Sequence, residues 1–322
     1  MRLKRWIAAV LATLLLFSLA GCGDKPESSE SSLDSSPADL SQPEPDPEYP
    51  LQIGDAVINA RPGKVVSLAP SITEKICDLG LQNRLAGRSS ECSYPESILA
   101  LPQYGTSKYP DVKGLRDLKP QLVLSVEELP AEAMKALDEI GATLVIVPSY
   151  CRNIAQWEDA YIELASILEG RTTGKALGER FVQELESRLD AIAASYPESH
   201  PLPALYLRLM PFTVATGDTL ESELMERVGF ENIASGQKEW VFDPEAATGE
   251  EGRALFNSLE IIFLYEKYVT IKHLERSDHY KRLQATLKDW YIYVDGIAFE
   301  RQSLRLLDEL EKMVSLETVG VR

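Results

Sequence analysis

The stretch Lys64-Val65-Val66-Ser67-Leu68-Ala69-Pro70-Ser71-Ile72-Thr73-Glu74 joins a short apolar run to a polar segment that can start a helix. Val65 to Leu68 is too short for a helix and reads as a buried strand. Ser71-Ile72-Thr73-Glu74 matches a capping box, with Ser71 as N-cap and Glu74 reaching back from the third helical position, and it predicts a helix over 71–79. A strand feeding directly into a helix opens a βα unit. Working outward, Leu85-Ala86-Gly87, Leu122-Val123-Leu124 and Leu144-Val145-Ile146-Val147 read as further strands, with a helix over 130–140. Buried strands alternating with helices imply an α/β fold around a mostly parallel sheet. In such sheets ligands bind beyond the carboxyl ends of the strands, where the turn before Ser71 lies.

Residues 153–197 lack strand-like runs. Ile154, Trp157, Tyr161, Leu164 and Leu168, then Leu177, Phe181, Leu185, Leu189 and Ile192, recur at helical spacing. They predict two helices broken near Gly170, the second running over 172–194 for about 34 Å at 1.5 Å per residue, long enough to bridge two lobes. The α/β pattern resumes after Pro201, with strands expected at 204–207, 213–215, 261–264 and 291–294, and helices at 220–228 and 304–314. The organisation is lobe (57–152), helical connector (153–197), lobe (198–322).

Before residue 57 the composition changes. Arg2, Lys4 and Arg5 precede a thirteen-residue apolar run over 7–19 that ends in Leu19-Ala20-Gly21-Cys22. The run is short for a bilayer-spanning helix and fits a signal peptide over 1–21. The tetrapeptide resembles a bacterial lipobox, which makes Cys22 the expected lipidated N-terminus on the extracytoplasmic face of the membrane. Residues 22–50 hold eight acids against Lys25 alone, with seven Ser and six Pro; 22–56 is expected to be a disordered acidic tether.

The 322 residues carry 33 Lys plus Arg against 50 Asp plus Glu, a formal charge of -17. Cleavage after Gly21 would remove three cations and no acid, taking it to -20. That balance excludes nucleic acid as a natural partner, because phosphate binding needs clustered Lys and Arg. Cys77, Cys92 and Cys151 remain in the body, so either all are reduced and buried or one bridge forms, Cys77 with Cys92 being the first pairing to consider. Neither CxxC nor Cys/His spacing suggests a zinc site. GxSxG, HExxH and GxGxxG are absent. Gly170-Arg171-Thr172-Thr173-Gly174-Lys175-Ala176 is one residue short of a phosphate loop and has Ala where magnesium needs Ser or Thr. His200, His273 and His279 all follow the connector, which leaves the first lobe without imidazole for a bare metal ion between lobes.

The segment from Lys64 to Glu74, followed by Leu79-Gly80-Leu81, Leu85-Ala86-Gly87-Arg88-Ser89-Ser90, Tyr94-Pro95 and Leu118-Lys119-Pro120-Gln121-Leu122-Val123-Leu124, resembles the substrate-binding proteins of ABC importers for cobalamin, haem and iron-siderophores. The resemblance covers most of 63–315. It implies a class III periplasmic-binding-protein-like fold: two α/β lobes with mostly parallel sheets, joined by a long rigid α-helix, with the ligand in the cleft between them. The second lobe is similar to vitamin B12 binders at Met210-Pro211-Phe212-Thr213, at Trp240 and at Phe299-Glu300-Arg301 with Arg305. Phe212, Trp240 and Arg301 are the ligand contacts this implies, joined by Ser71, Arg88, Tyr94 and Tyr109 from the first lobe. Aromatic faces would cover a flat chelate, and Arg would bond the polar rim. Where B12 binders carry aromatics, this chain has Glu91 and Ser107, with Tyr94, Tyr104 and Tyr109 nearby. For an anionic siderophore, Arg88, Lys108 and Arg208 offer charge.

The family docks onto its permease through one acid on each lobe. Glu245, in Asp243-Pro244-Glu245, is the second-lobe candidate, whereas Lys113 stands at the first-lobe position and Asp111 or Asp117 would have to replace it. The expected protein is therefore a monomeric, lipid-anchored receptor that captures a corrinoid, or alternatively a ferric siderophore or haem, for an ABC importer permease. No catalytic residue, resident cofactor or metal ligand is expected. Three other readings compete: the same scaffold binding bare zinc or manganese, a lipid-anchored enzyme, which would lack any recognisable nucleophile or redox motif, and a surface interaction protein.

Overall fold

The computed structural model describes residues 46–242, 249–288 and 290–315. Cys22 and Glu245 lie outside the described residues. The first described elements form an antiparallel hairpin, β1 (Leu51–Ile53) with β2 (Ala56–Ile58). The expected tether boundary at residue 56 is therefore too late, and the packing explains why. Tyr49 is buried and its hydroxyl donates to the Ile167 carbonyl at 3.3 Å. The Glu48 carboxylate accepts the Thr172 and Thr173 N–H groups at 2.6 and 3.2 Å and the Thr173 hydroxyl at 2.7 Å. Those bonds, the Thr172 N–H foremost, hold its pKa below the ordinary value. An acid that caps a distant helix has the same composition as an acid in a tether.

The first lobe follows as β3 (Val65–Ser67), α1 (Pro70–Asp78), β4 (Leu85–Arg88), α2 (Val112–Leu118), β5 (Leu122–Ser125), α3 (Ala131–Ile140) and β6 (Thr143–Ile146). Its four strands are all parallel, in the order β4-β3-β5-β6. Helices cover both faces of such a sheet, so β3 and β5 are buried throughout, which is why they read as continuous apolar runs. The start of α1 differs from the capping-box reading. Ala69 is the N-cap and Pro70 takes the first helical turn, where its missing N–H costs nothing. Glu74 reaches out of the helix toward the second lobe.

The connector is a pair of helices, α4 (Ile154–Glu169) and α5 (Thr173–Ala194), separated at Gly170 with φ of 102°. At 22 residues α5 is about 33 Å long. It begins beside Glu48, which precedes β1. At its other end Tyr196 lies edge-on to Phe230 at 5.2 Å, and Arg227 pairs with Glu186 and Asp190. A Cβ on Gly174 would fall 2.3 Å from the Ala165 carbonyl oxygen, and one on Gly178 would fall 2.6 Å from the Ile162 Cα. The segment that resembles a phosphate loop is thus a close helix–helix contact.

The second lobe contains β7 (Leu202–Leu209), β8 (Thr213–Val214), α6 (Leu220–Arg227), β9 (Phe230–Asn232), α7 (Gly249–Asn257), β10 (Ile261–Tyr265), α8 (Ile271–Arg276), α9 (Gln284–Leu287), β11 (Tyr291–Val294), α10 (Gly296–Arg301) and α11 (Arg305–Val314). β11, β10, β7 and β9 run parallel, and β8 adds antiparallel to β7. The two-lobed α/β architecture with mostly parallel sheets matches the expectation; β1, β2, β9 and the short helices α2 and α7 to α10 carry too little periodicity to be read from sequence. Cys77, Cys92 and Cys151 are free thiols, without the Cys77–Cys92 bridge that the sequence left open. Among the described residues, no helix is long and apolar enough to cross a membrane.

Candidate functional site

The site is framed by a polar junction between the lobes. The segment from Arg301 to Arg305, at the end of α10, lies against α1 and α4. Trp157 Nε1 donates to the Gln302 carbonyl at 2.6 Å, while the Gln302 side chain bonds both backbone groups of Cys151, at 2.7 and 2.9 Å. Asp78 accepts the Tyr161 hydroxyl at 2.8 Å and the Leu304 N–H at 2.9 Å. Glu74 accepts the Ser303 hydroxyl at 2.7 Å and lies 3.6 Å from the Arg305 guanidinium. Lys75 donates to the Arg301 carbonyl at 3.1 Å. Burial raises the Glu74 and Asp78 carboxyls and lowers the Lys75 ammonium. Buried charges persist only where such partners meet them, so this seam fixes one lobe against the other.

Beside the seam opens a cleft of about 540 Å³, within the usual range of ligand cavities, roughly 300 to 1,000 Å³. Ala69, Pro70 and Ser71 enter it from the start of α1, with Glu91, Thr106 to Tyr109 and Glu127 from first-lobe loops. Ser149 and Tyr150 come from the turn after β6, and Arg208, Glu221, Glu300 and Arg301 close it from the second lobe. These are the carboxyl ends of β3, β6, β7 and the ends of α6 and α10, the place an open α/β sheet offers to ligands. Four carboxyls (Glu91, Glu127, Glu221 and Glu300) face three cations (Lys108, Arg208 and Arg301). Arg208 is ion-paired to Glu300 at 2.8 Å. Among the described residues the Arg301 guanidinium has no hydrogen-bond or ion-pair partner, although its carbonyl belongs to the seam. Glu221 is buried, accepts the Tyr150 hydroxyl at 2.9 Å, and is pushed up to about 7 by that burial.

Of the residues expected from sequence, the cleft gathers Ser71, Tyr109 and Arg301. Glu91 and Ser107, which stand where B12 binders carry aromatics, line it too. Trp240 stands behind the wall: its ring lies under the Arg208 guanidinium at 5.0 Å and 6.4 Å from Tyr150, both cleft residues. Three expected contacts lie elsewhere. Arg88 is buried and donates to the carbonyls of Ser89, Cys92 and Leu99 at 3.1, 2.9 and 3.2 Å, so its guanidinium braces a loop. Phe212 packs on Phe256, His279 and Tyr280 at 6.1, 4.8 and 6.3 Å. Tyr94 is exposed, with the Arg305 guanidinium 4.7 Å from its ring centre. On the outer surface Asp111 caps α2 by accepting the Gly114 N–H at 2.9 Å, and Lys113 and Asp117 are exposed on the same helix. Tyr150, Glu221 and Glu127 are cleft residues that the sequence does not single out. Their positions are the available signal: Glu127 two residues past β5, Tyr150 four residues past β6, and Glu221 in the first turn of α6.

The periplasmic binding protein family model matches residues 65–293. A substrate-binding lipoprotein of an ABC transporter from Bacillus subtilis, YvrC, is 25% identical over 96% of this chain and 94% of its own length. A vitamin B12-binding protein from Yersinia pestis is 28% identical over 53% of this chain and 59% of its own length. Among solved structures, a possible iron-binding periplasmic solute-binding protein from Staphylococcus epidermidis superposes with a TM-score of 0.66 at 19% identity, covering 80% of this chain and 99% of that one. The chain belongs to the periplasmic binding protein family, whose members bind solutes for transport and are not enzymes.

Proposed function

We propose that this protein is the substrate-binding component of an ABC importer and that its interlobe cleft captures cobalamin or a related corrinoid. The observation that carries the choice of ligand is the charge state of the cleft. A ferric siderophore or a haem with its propionates is anionic and needs free cations. Here Arg88 is turned away from the cleft and Arg208 is already paired, so Lys108 and Arg301 are left to face the three remaining carboxyls Glu91, Glu127 and Glu221. A corrinoid is rimmed by carboxamides, each with a C=O for Arg301 and an N–H₂ for a glutamate. Trp240, stacked behind Arg208, stiffens that wall and gives an indole close enough to report the ligand. Haem is the second reading, favoured by Tyr109, which is 72% exposed at the cleft and is a phenol able to take an axial position on iron.

Titration of purified protein with cobalamin, haemin and a panel of ferric siderophores, followed by tryptophan fluorescence, tests this reading. Saturable quenching by cobalamin at the lowest concentration is expected. Tightest binding by haemin would favour the second reading, and no response to any of the ligands would reject the class.

On this reading lipid on Cys22 holds the protein at the extracytoplasmic face of the membrane, and the monomer meets its permease through Glu245. Glu245→Lys is expected to abolish uptake into cells while leaving ligand affinity in the isolated protein unchanged; normal uptake would remove Glu245 from the docking role.

A further inference from the structure

The floor of the cleft holds a carboxyl that no cation neutralises. Glu221 is 3% exposed and sits in the first turn of α6, just after the Thr219 N-cap. Its Oε2 accepts the Tyr150 hydroxyl at 2.9 Å. Arg208 is the nearby cation, but its guanidinium is held by Glu300 at 2.8 Å and lies over Trp240. No ion pair joins Glu221 to Lys or Arg among the described residues, and burying a carboxylate that way is costly unless a donor meets it. Glu221 lines the cavity, where a ligand would be the next donor to its carboxyl.

Resting on the corrinoid reading, we propose that Glu221, positioned by Tyr150, is the specificity-determining residue of the cleft: it accepts a hydrogen bond from a primary carboxamide on the ligand rim and rejects a carboxylate at the same place. An amide offers N–H₂ to Glu221 and C=O to a guanidinium such as that of Arg301. A carboxylate offers only acceptors; it bonds Arg301 more strongly than an amide carbonyl does, through a charge-assisted pair, but it meets Glu221 as a like charge, and that repulsion is what selects against it. Arg301 therefore gives affinity and Glu221 gives selection.

The titration of Glu221 makes the selection readable. Burial raises its carboxyl to about 7, opposed by its own backbone N–H, by the Tyr150 hydroxyl and by Arg208, and assisted by Glu300. The groups around it are Tyr150 after β6, Tyr206 and Arg208 on β7, and Glu300 on α10; burial raises both tyrosines, so they stay neutral through this range. A ligand amide binds the ionised carboxyl best, so its affinity rises as pH climbs through neutrality. A ligand carboxylate needs the protonated form, and its affinity falls over the same interval.

The test uses the full purified chain, cobalamin, and the separated cobalamin monocarboxylic acids in which one peripheral amide has been hydrolysed, titrated from about pH 5 to about pH 9. At neutral pH at least one acid is expected to bind roughly five- to hundredfold more weakly than cobalamin. Its pH slope should be opposite in sign to that of cobalamin, and Glu221→Gln should remove both the gap and the slopes. If that variant does not fold, the opposite slopes of the unaltered protein still decide. Parallel slopes and equal affinities for every acid would overturn the role of Glu221 while leaving the corrinoid reading intact. Failure of the unaltered protein to bind cobalamin would remove the corrinoid reading and this inference with it.

Discussion

Two polar regions meet at Arg301 and differ in one respect. In the seam, the carboxyls and the ammonium of α1 find fixed partners in the connector and the second lobe: Lys75 on the Arg301 carbonyl, Asp78 on Tyr161 and Leu304, and Glu74 on Ser303 and Arg305. In the cleft a few ångströms along the same chain, the Arg301 guanidinium has no hydrogen-bond or ion-pair partner among the described residues, and Glu221 has a single side-chain donor. A satisfied network rigidifies, whereas an unsatisfied one waits for a ligand. The fold uses the first to hold the second open, so a ligand need not be matched by lobe closure, and the ordering cost of binding stays small.

The comparison breaks most visibly from the seam side. Asp78→Ala removes the acceptor of two donors, the buried Tyr161 hydroxyl and the partly buried Leu304 N–H, and each unpaired donor costs about 1 to 3 kcal/mol. A loss of about 3 kcal/mol is expected, read as a lower urea midpoint at unchanged slope. A midpoint within experimental scatter of the parent would mean that the seam does not brace the lobes.

Local signals in the sequence are enough for the sheet strands and the long connector, because buried parallel strands and core-facing helices leave periodic apolar runs. What escapes is long-range. Ser71 and Glu74 satisfy the capping-box spacing, yet Ser303, 229 positions away, takes the carboxylate, and Pro70 moves the helix start. Arg88 reads as a ligand cation because the pattern cannot show that carbonyls at Ser89, Cys92 and Leu99 fold back onto it. Phe212 has the composition of a cleft aromatic and the packing of a core one. Arg301 is legible through its family position, while Glu221 and Tyr150, from opposite sides of the connector, become a pair only in three dimensions.

From the cleft side the effect should be smaller and of another kind. Arg301→Ala deletes a guanidinium that braces nothing among the described residues, so stability is expected to change by less than about 0.5 kcal/mol. Ligand affinity should fall by roughly tenfold or more, the value of a charge-assisted hydrogen bond. Paired measurement of urea midpoint and cobalamin titration separates the two. A variant that loses stability but keeps affinity would place the Arg301 side chain in the seam with its carbonyl.

The smallest effect sharpens the contrast through pH. Burial raises the folded pKa of Glu221 from 4.5 to about 7, so the folded state holds this proton more tightly than the unfolded chain does. Its contribution to stability is therefore fully present below about 4.5 and is lost as pH rises through about 7. Because the residue borders an open cleft, where water relieves part of the penalty, about 1 kcal/mol is expected over that interval, less than a carboxyl sealed in the core would give. Glu221→Gln lacks the titration and serves as the reference: the stability of the parent relative to this variant should decline from acid to neutral pH in urea unfolding. Saturating cobalamin should flatten the decline, since a carboxamide donor favours the ionised carboxyl. A difference between parent and variant that is independent of pH would show that the Glu221 carboxyl titrates alike in the folded and unfolded chain, and the distinction between a closed seam and a waiting cleft would then lose its unpaired buried acid.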